Sequence, residues 1–182
     1  MRVLGIDPGL RLTGFGCVEG PEQIAAAPVM VDAGVIRLVR SSGPTPEIAP
    51  RLVELERDLI EVFERNKPQL VAVEALFSHK EHPFTAVLMG HARGVILLVA
   101  RRFGCEIAEI PPADVKRSIA GSGRATKEQM QASVARLLRL PEPPKPADIA
   151  DALAIAIACR QRALLPSGLG SGSGVKRHTI AR

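Results

Sequence analysis

Val3-Leu4-Gly5-Ile6-Asp7-Pro8-Gly9 is a short apolar run closed by an acid and a turn. The run reads as a strand. Side chains alternate along a strand, so Val3, Gly5 and Asp7 share one side while Leu4 and Ile6 take the other. Asp7 therefore stands at the lip of a sheet, where core gives way to surface. Two readings of it are open. Asp-Pro-Gly is an ordinary turn signal, and Asp7 is then only a turn residue. Alternatively, Asp7 belongs to a site, and the other acids of the chain must then supply its partners.

Working outward, Thr13-Gly14-Phe15-Gly16-Cys17-Val18 predicts a second strand and Val29 to Val39 a third. Short turns between them imply an antiparallel meander. Arg51 to Arg65 carries apolar residues at 52, 55, 59, 62 and 63, a helical face. Leu70-Val71-Ala72-Val73-Glu74 is a fourth strand, also ended by an acid. It follows a helix, so it should run parallel to the first. Phe84 to Arg102 predicts the longest helix, with Gly90 and Gly94 on one face. Each interior glycine costs about 1 kcal/mol against alanine. The expected return is close approach of another backbone, from the sheet or from a second subunit. Cys105 to Ile110 predicts a fifth strand and Ala113 to Ala120 a short helix. Thr126 is placed to cap a helix running to about Leu138, and a last helix runs from Asp148 to about Leu164. The expected fold class is α/β: a mixed five-stranded sheet, its first three strands antiparallel, with helices on both faces. Residues 1–165 form one expected domain. Residues 166–182 are rich in Gly and Ser, basic, and expected to be disordered.

Composition narrows the function. At 182 residues the chain can bury roughly 70% of its extended surface, so it has no need of disulfides. Five Phe and neither Tyr nor Trp leave the core to Val, Ile, Leu and Ala. The net charge of +5 favours a polyanionic partner. Cys17, Cys105 and Cys159 are odd in number and far apart, which argues against a disulfide framework and against zinc. Each reads as a small core residue. The N-terminus has no signal-peptide pattern and no run reaches 18 uninterrupted apolar residues, so a cytoplasmic protein with no membrane partner is expected.

The chemistry is carried by four acids. Asp148 and Asp151 are three residues apart, about 60° around a helix axis, so both can serve one site. The plainer alternative is an acidic capping box, with Asp148 at the N-cap and Asp151 at N3. If the strands ending in Asp7 and Glu74 are parallel neighbours, their acids emerge at one edge, and a helix laid on the sheet can add Asp148 and Asp151. Four carboxylates that close repel unless cations hold them. An all-oxygen donor set suits Mg²⁺ or Mn²⁺. Two such ions about 3.5 to 4 Å apart suit phosphodiester hydrolysis. Basic residues would meet backbone phosphates: Lys80, Lys116, Arg117, Arg124 and Lys127 are the candidates, against the alternative of solvated surface charges. Phe77, in an otherwise polar loop, either anchors that loop or stacks on an unpaired base.

These residues bring a family into view. The chain resembles the RuvC family of bacterial Holliday-junction resolvases, within the ribonuclease-H-like nucleases. The resemblance spans about residues 1 to 163. It is carried by Gly5-Ile6-Asp7-Pro8-Gly9 with Thr13-Gly14-Phe15-Gly16, by Val73-Glu74 with Phe77, by Gly90-His91-Ala92-Arg93-Gly94, by Val115-Lys116 with Lys127, and by Ala147-Asp148 with the run 150–156. It implies a ribonuclease-H-like fold and a homodimer that nicks symmetry-related strands of a four-way DNA junction, leaving 5′-phosphate and 3′-hydroxyl ends. It implies that Asp7, Glu74, Asp148 and Asp151 are the catalytic acids and hold two Mg²⁺ or Mn²⁺ ions. Some members have His where Asp148 stands, so this chain is of the all-carboxylate type. Phe77 matches an aromatic that stacks at the opened crossover, and Lys116 and Lys127 match basic residues that act on the junction. The helix with Gly90 and Gly94 matches the dimer region, and RuvA and RuvB are the implied branch-migration partners. One departure is Ser78-His79-Lys80-Glu81-His82-Pro83, where members commonly carry Asn and small residues.

Rival readings are separable. An actin-like ATPase or sugar kinase also begins with a strand, an Asp and a Gly turn. It needs a duplicated domain and a second phosphate loop, for which 182 residues leave no room. A resolvase-like nuclease of the YqgF type would lack the segment 84–163 in this form. A non-catalytic junction binder would tolerate loss of any one acid.

Overall fold

The computed structural model describes residues 1–23, 26–40, 42–75, 83–165 and 176–178. Strands β1 (Arg2–Asp7), β2 (Leu12–Glu19) and β3 (Val29–Arg37) form the antiparallel meander. Helix α1 (Ile48–Asn66) leads to β4 (Leu70–Glu74), which lies parallel to β1. Helix α2 (Pro83–Arg102) then leads to β5 (Glu106–Ile110), parallel to β4. Three further helices follow: α3 (Pro112–Ala120), α4 (Lys127–Leu137) and α5 (Ala147–Ala163). Besides the five strands expected, Lys176–His178 forms a short sixth, β6, antiparallel to β5. Those three residues fall within the stretch expected to be disordered. The sheet order is β3-β2-β1-β4-β5-β6. This is the mixed sheet of a ribonuclease-H-like fold.

The strand alternation read in the sequence divides the core in two. Leu4 and Ile6 join Val71 and Val73 on one face, under Leu55, Leu59 and Phe63 of α1 and Ile96 and Val99 of α2. Val3 joins Leu70 and Ala72 on the other, under α3, α4 and above all α5, whose Leu153, Ala156 and Ile157 are fully buried. The three cysteines are buried and none forms a disulfide, and burial pushes the Cys17 and Cys105 thiols up to about 12 and about 11. They are core residues, as expected.

By length and composition, Phe84–Arg102 of α2 is apolar enough to cross a membrane, although it holds no run of 18 uninterrupted apolar residues. Here it packs against the sheet through Ala92, Ile96, Val99 and Ala100, all fully buried, and carries the charged Arg93 on the same side. Thr126 caps α4 as expected. Its side chain accepts from the Gln129 backbone N–H while the Gln129 side chain accepts from that of Thr126, a complete capping box.

Candidate active site

Asp7 and Glu74 occupy the carboxyl ends of neighbouring parallel strands. The β1–β4 register pairs Gly5 with Ala72 and Ile6 with Val73, so Asp7 and Glu74 stand one step further along. Alternation sends both side chains to the face that α5 covers. The turn after Asp7 is fixed from two sides. The Thr13 hydroxyl, fully buried, donates to the Gly9 carbonyl at 2.6 Å, and Arg51 of α1 donates to the Leu10 carbonyl at 2.9 Å.

Helix α5 delivers the other two acids because glycine lets it lie on the strands. A Cβ built on Gly5 would fall 2.1 Å from the Ala152 carbonyl oxygen, and one on Gly14 would fall 2.2 Å from that of Asp148. Gly14 is also the cross-strand partner of Asp7. The helix start is thus pressed against the residue opposite the first acid. The capping alternative for Asp148 and Asp151 does not hold. Pro146 occupies the N-cap position, no side chain caps the helix, and Asp148 lies within its first turn.

Asp7, Glu74 and Asp151 line one cleft of about 160 Å³ together with Lys116 of α3 and Lys127 of α4. Asp148 does not line it, yet its charge acts on both Asp7 and Asp151. The Asp7 carboxyl is pushed up to about 7, first by burial and then by Asp151, Glu74 and Asp148, with Lys127 opposing. Glu74 is raised by burial and by Asp151, with Lys116 opposing. Asp151 is raised by burial and by Asp148, against the pull of Lys127 and Lys116. Among the described residues the two cleft lysines do not balance the three cleft carboxylates and the nearby Asp148, an acidic hollow in a basic protein. Among the described residues no three acid, imidazole or thiol side chains form a closed metal-binding group.

The remaining candidates lie elsewhere. Arg117 is turned to Asp114, 2.9 Å away, and is mostly exposed. Arg124 is exposed in the loop before α4 and does not line the cleft. Gly90 and Gly94 have no atom within 4 Å of an added Cβ, so neither the sheet nor any other described backbone approaches them. Phe77 and Lys80 lie outside the described residues. Sequence reasoning passed over the glycine cradle under α5, whose signal was glycine at 5, 14 and 16 on adjoining strands. It also passed over Arg93, a buried cation inside an apolar helix.

The model of the family "Crossover junction endodeoxyribonuclease RuvC" matches residues 3–159. The chain belongs to the RuvC family. The RuvC protein of Synechococcus sp. (strain RCC307) is 42% identical over 157 residues, 86% of this chain and 96% of the relative. That of Rhodopirellula baltica is 45% identical over 157 residues, 85% of this chain and 83% of the relative. Thermus thermophilus RuvC in complex with a Holliday junction substrate superposes with a TM-score of 0.80 at 32% identity, covering 90% of this chain and 95% of that one. The yeast mitochondrial Holliday junction resolvase, at 14% identity and a TM-score of 0.60, shares the fold. All four acids and both cleft lysines lie inside the span matched by the RuvC model, and the stretch from 160 onward lies outside it.

Proposed function

We propose that this chain resolves four-way DNA junctions as a homodimer, using Asp7, Glu74, Asp148 and Asp151 to hold two divalent cations. Membership of the RuvC family makes it a structure-specific endonuclease of Holliday junctions, a phosphodiester hydrolase of DNA recombination and repair. The observation that carries the assignment of residues is the convergence of Asp7, Glu74 and Asp151 from three separate elements on one cleft.

RuvC nucleases use divalent metal ions. The donor set fits Mg²⁺ or Mn²⁺, because the acids offer only oxygens and Asp7, Glu74 and Asp151 have their proton affinities raised first by burial and then by neighbouring carboxylates. When bound, such a pair of ions stabilises charge on the attacking and leaving oxygens of a phosphodiester. The chain's own part is to hold and orient. Lys116 and Lys127 bind the phosphate entering the cleft and hold the scissile strand over the acids. Phe77 stacks on a base unpaired at the crossover, and Lys80, Arg117 and Arg124 meet the backbone further out.

Support for the dimer comes from α2. Its outer face exposes Phe84, Val87 and Leu98, by 71%, 56% and 48%, around the open surfaces of Gly90 and Gly94. An apolar stripe with two glycines suits close packing of a second copy. Two copies would give two clefts, one for each nicked strand. The reading places the reaction in the cytoplasm beside RuvA and RuvB. The test is incubation of purified protein with a mobile four-way junction, with Mg²⁺, with Mn²⁺ and with a chelator. Paired, ligatable nicks that need the metal are expected. Equal cleavage in the chelator would overturn the metal assignment.

A further inference from the structure

We propose that Arg93 is a positioning residue for Glu74, holding the end of β4 so that the carboxylate is presented to the cleft. The proposal rests on the reading of Glu74 as a metal-holding acid. Arg93 lies on α2, on the opposite face of the sheet from the cleft, and is only 7% exposed. Its guanidinium joins two strands. Nη1 donates to the Glu74 carbonyl oxygen at 3.2 Å, and Nη2 pairs with Glu109 Oε1 at 2.7 Å. Glu109 stands across from Val73 in the β4–β5 register, on the α2 side. Residue 74 is therefore gripped by its backbone from one face while its side chain serves the other.

That grip comes where the sheet supports β4 from one side only, through the pairing of Glu74 with Ile110. The β1–β4 ladder ends at the Ile6–Val73 pair, one residue short of Glu74. On the β5 side the Ala75 N–H donates to the Ile110 carbonyl at 2.9 Å, which secures only one edge of the strand end. Arg93 supplies a further tie. A buried guanidinium is costly unless paired, and Glu109 is its counter-charge. A lysine keeps the charge but lacks the planar fork that reaches both partners. Outer contacts that orient a metal-holding side chain typically change metal affinity by about 10- to 100-fold when lost.

The test compares Arg93→Gln, Arg93→Lys and the double variant Arg93→Gln/Glu109→Gln, which removes the counter-charge together with its partner. Mn²⁺ binding to the protein without DNA is read from the electron paramagnetic resonance signal of the free ion. Single-turnover junction cleavage is measured across Mn²⁺ concentrations, and junction binding by gel shift in chelator. Arg93→Gln and the double variant are expected to bind Mn²⁺ about tenfold more weakly and to need about tenfold more of it for half-maximal cleavage. Arg93→Lys should fall between them and the parent, with junction binding unchanged throughout. Folded variants with the parent's Mn²⁺ affinity would overturn the proposal, as would a loss of cleavage that excess Mn²⁺ does not restore. Glu74→Gln separates the two layers. If it too keeps the parent's Mn²⁺ affinity, the assignment of Glu74 fails and the role of Arg93 fails with it. If Glu74→Gln loses affinity and the Arg93 variants do not, only the role of Arg93 fails.

Discussion

Replacing Asp7 by Asn should abolish cleavage and at the same time stabilise the metal-free protein. The two effects share a cause. Asp7 is carried from its ordinary 3.8 to about 7 by burial and by three neighbouring carboxylates. Each tenfold change in proton affinity is about 1.4 kcal/mol, so keeping the charged form in the fold costs roughly 4 kcal/mol at most. Water in the cleft and movement of the acids return part of this, leaving roughly 1 to 3 kcal/mol for the variant to recover. In a chain of this size that is a rise in melting temperature of about 3 to 9 °C. The pH dependence follows from the direction of the shift. Below about 4 Asp7 is protonated in both folded and unfolded chains, and parent and variant should melt together. Between about 4 and 7 the parent loses this stability, and above about 7 the gap is fully open. Mn²⁺ should raise the parent's melting temperature more than the variant's and so narrow the gap. The assay is thermal unfolding at pH 4 and pH 8, with chelator and with Mn²⁺, beside a junction gel shift and a cleavage assay. A variant less stable than the parent at pH 8 in chelator, or one that still cleaves, would refute the reasoning.

Phe77→Ala should lose more cleavage than binding, since a misplacement of about 1 Å at the reacting phosphate can cost a hundredfold. A junction with unpaired bases at its centre should partly rescue it but not Asp7→Asn, and equal defects on paired and open centres would return Phe77 to a packing role. Gly14→Ala should push the start of α5 off the sheet, because its Cβ would fall 2.2 Å from the Asp148 carbonyl oxygen. Cleavage should drop at least tenfold in protein that still binds junctions, and parent-like single-turnover rates would contradict the cradle. Leu98→Glu should dissociate the dimer. Sedimentation of the parent should give near twice 19.4 kDa and the variant a single copy, and a monomeric parent at micromolar concentration that still makes paired nicks would sink the two-site mechanism.

Much of this was legible in the sequence because strand alternation is a local rule. Asp7 and Glu74 each follow an apolar run, and period two alone assigns their side. That the strands run parallel followed from the intervening helix, and the β1–β4 register shows that they are also neighbours. Placing α5 was harder. The Asp148–Asp151 spacing fits both a cap and a site, and the choice depends on Pro146, which takes the N-cap position. Arg93 was hidden for a different reason. Its partners, the Glu74 carbonyl and Glu109, are distant in sequence, and no periodicity announces a contact between a helix and a strand end. Lys116 and Lys127 were set apart from Arg117 and Arg124 by the family resemblance, and the packing of α3 and α4 brings both lysines to the cleft.

The order in which the acids occur bears on how the protein is made. Asp7 and Glu74 emerge early in synthesis, whereas Asp148 and Asp151 arrive on α5, the helix that contributes most to the core on one face of the sheet. A nascent or truncated chain that stops before residue 147 has half its core open and half its carboxylates missing. If the four acids act as proposed, the step that closes the hydrophobic core also completes the site. Unfinished chains, which expose sticky strands and would be hard to control near DNA, are harmless to it. On the same reading, a lesion that loosens α5 should disturb the acids as it opens the core.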